Sequence, residues 1–105
     1  MVIRQYELSI QKHQQLALPK KCNILSVTLE DGPGVPKPLP KIFLNVAEDA
    51  NSEIETRTFL ILSGGQTGPD SGIVYIGTIT TNDGAFVVHI FENIEEPTLT
   101  PEIPF

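Results

Sequence analysis

The sequence predicts an all-β domain of about seven short antiparallel strands, forming a small sandwich or a partly open barrel. Three observations carry this. Apolar and polar residues alternate with a period of two along most of the chain. No segment keeps a 3.6-residue repeat over the ~11 residues of an ordinary helix. Nine prolines and eight glycines in 105 residues break the chain into short runs. With 40% hydrophobic and 19% charged residues, the composition is that of a packed domain. We assign that domain to residues 1–93 and an extended, proline-rich acidic tail to residues 94–105.

The first strand is "VIRQYELSI", with Tyr6, Leu8 and Ile10 on one face and Gln5, Glu7 and Ser9 on the other. "QQLALP" is the second, stopped by Pro19, and residues 10–13 between them read as a hairpin turn. "CNILSVTLED" places Leu25, Val27 and Leu29 inward. Residues 31–40, with four prolines and two glycines, read as an exposed loop. "KIFLNVAED" is the fourth strand, with Ile42, Leu44 and Val46 on its apolar face. "ANSEI" reads as a turn or at most one helical turn. "TRTFLILS" is apolar on both faces from Phe59 to Leu62, the mark of a central strand. A glycine-rich loop over residues 63–72 leads to "IVYIGTITT". Asn82-Asp83-Gly84 is a tight-turn signal before "AFVVHIFEN", which is again apolar on both faces.

Within that loop Leu62-Ser63-Gly64-Gly65-Gln66 spells LSGGQ, the signature of ABC-type ATPases. The signature works by opening a helix whose amides face a phosphate. Here Pro69, Gly72 and a β-branched run follow, and no GxxxxGK[ST] loop is present. The glycine-rich turn of Rossmann-like folds fails for the same want of a helix. What remains is a loop rich in backbone amides between two strands. Its glycines satisfy positive φ, and the segment Ser63, Gly64, Gly65, Gln66, Thr67 and Asp70 is a candidate contact surface for a partner or a small anionic ligand.

Charge is unevenly placed. All seven Lys and Arg lie in residues 1–57, balanced there by seven acids, whereas residues 58–105 hold Asp70, Asp83, Glu92, Glu95, Glu96 and Glu102 and no base. The net charge of −6 therefore sits entirely in the second half. That argues against nucleic acid, which needs clustered bases, and permits docking on a basic protein surface. The single cysteine, Cys22, reads as a small apolar filler in a reducing compartment. No stretch approaches the ~18 apolar residues that span a bilayer, and the N-terminal residues read as no signal peptide.

Catalysis finds no constellation. His13 falls near the first turn, and His89 alternates with Val87 and Phe91 inside a strand, without the local partners a metal ligand needs. His89 reads as a hydrogen-bonded structural residue. Ser26, Ser63 and Ser71 lack a G-x-S-x-G elbow. The pairs Glu30/Asp31 and Glu95/Glu96 sit at strand ends or in the tail. The aromatics read mostly as core. Phe105, after Pro104, is a candidate for docking in a groove together with Glu95 and Glu96 of the tail. No cofactor or metal is expected, and no enzymatic activity.

The phrases "VIRQYELSI", the Pro19-to-Val27 step ending in "ILSV", "RTFLILSGG" (Arg57 to Gly65), "YIGTI" (Tyr75 to Ile79) and "GAFVVHIFE" (Gly84 to Glu92) resemble a family of small uncharacterised proteins encoded by phages and prophages, catalogued as a domain of unknown function. The loop over 33–40 and the tail after Asn93 depart from its pattern. The resemblance implies a phage-borne accessory protein in a bacterial cytoplasm and carries no activity to any residue. The functional expectation is non-covalent binding to a host protein, as in an anti-defence or host-takeover factor. An oligomeric sponge for a small signalling nucleotide and a minor virion or assembly component are the alternatives.

Overall fold

A computed structural model describes residues 1–30, 40–49, 51–80, 84 and 86–94. Seven strands run β1 Val2–Leu8, β2 His13–Pro19, β3 Cys22–Glu30, β4 Lys41–Glu48, β5 Ile54–Ser63, β6 Ile73–Thr80 and β7 Val87–Asn93. They form two antiparallel sheets, a three-stranded one in the order β1-β4-β3 and a four-stranded one in the order β2-β5-β7-β6. The sheets face each other as a sandwich and do not close into a barrel. Most of the 31–40 loop, the Asn82-Asp83 turn and the tail beyond Ile94 lie outside the described residues.

The alternation becomes the core directly. Ile42, Leu44 and Val46 of β4 meet Phe59 and Ile61 of β5 and Val88 and Ile90 of β7, all nearly or fully buried. Each such side chain contributes roughly 1.5–3 kcal/mol when fully buried. β5 and β7, the strands apolar on both faces, are the two central strands of their sheet. The second face of β5 is buried as well: Leu60 is 0% exposed yet lies outside the inter-sheet core. Between β4 and β5 the chain makes a turn, with the amide of Ser52 donating to the Asp49 carbonyl at 3.1 Å.

Two expectations are corrected. β1 and β2 do not form a hairpin; they belong to different sheets, and residues 9–12 step across the sandwich. Gln14 holds that step, accepting from the Ser9 amide at 2.9 Å and donating to the Ser9 carbonyl at 2.7 Å. Ile10 falls beyond the end of β1 and is exposed. Leu25 does not face inward either. A register shift between Ile24 and Ser26 makes it the extra residue of a β-bulge, so Ile24, Val27 and Leu29 pack on the core and Leu25 is 54% exposed.

The two long sides of the sandwich differ. On one, β3 lies close to β6, and Gly77 is required there: a Cβ on it would stand 2.7 Å from Val27 Cγ2. Gly77 also follows the irregularity between Tyr75 and Gly77 that lets β6 bend towards β3. On the other, β1 and β2 stay apart. A recess of about 380 Å³ lined by Arg4, Tyr6, Pro19 and Ile54 opens there, and a second of about 500 Å³ is lined by Glu7, Gln14 and Leu16.

Candidate functional site

The glycine-rich segment is neither a hairpin loop nor a helix start. β5 and β6 are both antiparallel to β7, which lies between them, so they run parallel to each other. Residues 64–72 must therefore return along the sheet. They run from the level of Val88, paired with Ser63, to that of Asn93, paired with Ile73, roughly 17 Å at the rise of a strand. The segment is a strap over the outer face of the four-stranded sheet, where a Cβ on Gly68 would come within 2.7 Å of Leu62 Cδ1.

Its ends are fixed by turns. The Gln66 amide donates to the Ser63 carbonyl at 3.1 Å, and Gly65 at the third position has φ of 87°, the positive value of a type II turn. The Ser63 amide donates to Gln66 Oε1 at 2.8 Å. At the far end Gly72, with φ of 77°, accepts from the Ile94 amide at 2.8 Å. LSGGQ is thus a strand end and a type II turn, with the amides of Ser63 and Gln66 engaged inside it. Of the residues singled out by sequence, Ser63 is half-buried, and Gly64, Gly65, Gln66, Thr67 and Asp70 are exposed along the strap. Glu95, Glu96 and Phe105 lie outside the described residues.

The sheet face under and beside the strap is more apolar than sequence reasoning foresaw. Register aligns His13, Leu60, Phe91 and Tyr75 in one row across all four strands, with Leu62, His89 and Thr78 in the row beside it. Tyr75 meets Phe91 edge-on, centroids 5.6 Å apart at 62°. Tyr75 is 57% exposed, against the expectation that the aromatics are core, and Val74 and Val87 nearby are exposed too. His89 has the hydrogen-bonded role expected of it: Thr78 Oγ1 lies 2.9 Å from its Nδ1 and 2.6 Å from Tyr75 Oη. Both histidines fall on this face, although nothing in their sequence spacing links them; only the strand pairing does.

A second polar constellation occupies the end of the sandwich where β4 and β7 finish. The Arg57 guanidinium donates twice to the Glu92 carboxylate, at 2.6 and 2.7 Å, and reaches the Cys22 sulfur at 2.9 Å. Within the three-stranded sheet, Tyr6 Oη donates to Glu48 Oε2 at 2.6 Å and Arg4 Nε lies 2.7 Å from Glu48 Oε1. Burial and the bond to Glu48 push the Tyr6 phenol up to about 12. Burial raises the Cys22 thiol above its ordinary value although Arg57 opposes this, and the bond to Glu92 raises Arg57. Every described charge here has a partner, so the group reads as a structural tie. Cys22 is a partner in it rather than the apolar filler the sequence suggested.

Among the described residues no group of three or more His, Cys, Asp or Glu side chains is placed to hold a metal ion. Nor is any helix among them long and apolar enough to cross a membrane. The chain's sequence matches a family profile, Domain of unknown function (DUF7352), over residues 1–100. The chain belongs to this family. No curated protein and no solved structure matches it. The family match spans both sheets, the strap and the aromatic row, and assigns no activity to any of them.

Proposed function

We propose that this protein acts by non-covalent binding of another protein, through the outer face of the four-stranded sheet and the strap that crosses it. The observation that carries the reading is the exposed Tyr75, held edge-on by Phe91, in an apolar row that ends at the exposed polar residues of the strap. Rigid, partly exposed aromatics on a fixed scaffold are the anchors around which protein interfaces concentrate their energy. The charge favours a basic partner surface, because residues 58–105 contain no Lys or Arg. The context we infer is that of a phage-encoded accessory protein that blocks or redirects a bacterial host component.

The alternative of a sponge for a small anionic ligand has less support. Two of the loop amides that would cradle an anion, those of Ser63 and Gln66, are engaged within the turn, and no cation lies in that half of the chain. The test is affinity capture from bacterial lysate with the wild type, Tyr75→Ala and Gln66→Ala. A stoichiometric host protein should be retained by the wild type and lost with Tyr75→Ala, which leaves the inter-sheet core untouched. Equal retention by the wild type and Tyr75→Ala would remove this face from the reading; no stoichiometric protein at all would count against binding as the function.

A further inference from the structure

We infer that β1 is a self-pairing edge and that two copies of this chain join through it, making one continuous six-stranded sheet in the order β3-β4-β1-β1-β4-β3. The inference does not use the face proposed above for the partner.

The four sheet edges are not equivalent. β3 and β6 approach each other, with the Val27 side chain against Gly77, so neither has room for another strand beside it. β2 ends at Pro19, which has no amide to donate, and in its first half the Gln14 side chain folds back onto the Ser9 and Gln11 carbonyls. Among the described residues β1 has no such protection. It is exposed along nearly its whole length, and it carries no proline, bulge or inward-pointing unpaired charge of the kind that blunts edges. Val2 lies on the face that includes Leu8, yet is 41% exposed, and Ile3 on the other face is 56% exposed. Both lie at the open side of the sandwich.

What selects a second copy is self-complementarity. A two-fold axis perpendicular to the sheet keeps inner residues opposite inner residues, so β1 must pair with itself in registers of even sum. Centring on Gln5 pairs the full strand: Val2 with Leu8, Ile3 with Glu7, Arg4 with Tyr6, and Gln5 with its own copy. No like charges oppose each other in that register, and each exposed apolar residue gains a neighbour. Centring on Arg4 or on Glu7 would set identical charges face to face, centring on Ile3 would leave most of the strand unpaired, and centring on Tyr6 would leave the exposed Val2 and Ile3 without partners. The contact is small for a stable interface, so the expected dimer is a weak one.

The test is the mass of the full chain by light scattering or sedimentation over a concentration series reaching ~100 µM, where an interface with a Kd of about 10 µM is mostly formed. The wild type should approach twice the chain mass of 11.5 kDa. Gln5 sits on the axis and is exposed, so Gln5→Glu and Gln5→Lys each place two like charges together. Each alone should dissociate at least tenfold more readily, and an equimolar mixture of the two should associate again as a heterodimer. Thermal melts of each variant separate this from misfolding, since Gln5 also donates to Asn45 Oδ1. A wild type that stays monomeric throughout overturns the inference. So does a dimer that is unaffected by either substitution, or one that the mixture fails to restore.

Discussion

The two long sides of this sandwich show how a small β protein decides where it stays open. On the β3–β6 side Val27 fills the space over Gly77, and at the end of the sandwich the Arg57 guanidinium of the central strand β5 reaches Cys22 at the start of β3. On the β1–β2 side the polar contacts of β1 are turned into its own sheet. Arg4 and Tyr6 both bond Glu48 of the adjacent strand β4, and the chain crosses there in the short step from β1 to β2. One side is sealed by contacts between sheets; the other satisfies its polar groups locally and leaves its edges available. Length and composition alone do not determine this, because the strands involved are of similar size and similarly apolar.

Removing the inter-sheet tie should have the largest effect. Arg57→Leu leaves the Glu92 carboxylate, 12% exposed in its side chain, without its bidentate partner. We expect a loss of about 3 kcal/mol in urea unfolding, at the lower end for a broken buried pair. The double variant Arg57→Leu/Glu92→Leu should recover most of it, since the pair's desolvation is then no longer required. A change below roughly 0.5 kcal/mol in the single variant would mean that the tie holds nothing.

The steric seal comes next. Gly77→Val pushes a branched side chain into Val27 on the closed side and should cost about 2 kcal/mol. In a Val27→Ala background the same substitution should cost much less, because the space it needs has been cleared. A matching enlargement on the open side, Ala17→Val, should change stability little, as Ala17 is exposed on an edge strand. Similar costs at the two places would erase the distinction between the sides.

Tyr6 sharpens the comparison through pH. Its phenol is raised from 10.0 to about 12 in the folded protein, so the folded state holds that proton more tightly than the unfolded chain. The stabilisation from its bond to Glu48 is therefore complete below pH 10 and lost as the pH rises through 12. Tyr6→Phe should cost about 1 kcal/mol at neutral pH. It should also remove part of the wild type's decline between pH 10 and 12, measured as the difference between the two unfolding curves. Parallel curves over that interval would show that the phenol is not held as described.

How much of this was legible in the sequence follows from the range of the forces involved. Strand positions were legible because alternation is local: Ile42, Leu44 and Val46 announce their face whatever lies opposite. The central place of β5 was legible from its two apolar faces, a pattern that β7 shares. Sheet membership was not. "IQKH" satisfies the length of a hairpin turn, and only the demand of Leu8 and Leu18 to cover opposite walls of one core sends the chain across instead. The strap was hidden for a similar reason, since a glycine-rich loop reads alike whether it joins neighbours or returns past a third strand. The aromatic row and the Arg57–Glu92–Cys22 tie join residues more than a dozen positions apart, and pairing register alone brings them together.

The bulge in β3 supplies the smallest and most discriminating prediction. Strict alternation places Leu25 with Val27 and Leu29, whereas the register shift after Ile24 turns Leu25 out to 54% exposure. An exposed leucine can be replaced almost freely, so Leu25→Ser should lie within about 0.5 kcal/mol of the wild type. Val27→Ser, on the same strand but against Gly77, should cost well over 1 kcal/mol through lost burial and an added hydroxyl facing the core. Equal large costs at the two positions would restore the uninterrupted strand, with Leu25, Val27 and Leu29 all facing the core. With its one extra residue the bulge instead lets Ile24 and Val27 share the core face, and Gly77 opposite gives Val27 room.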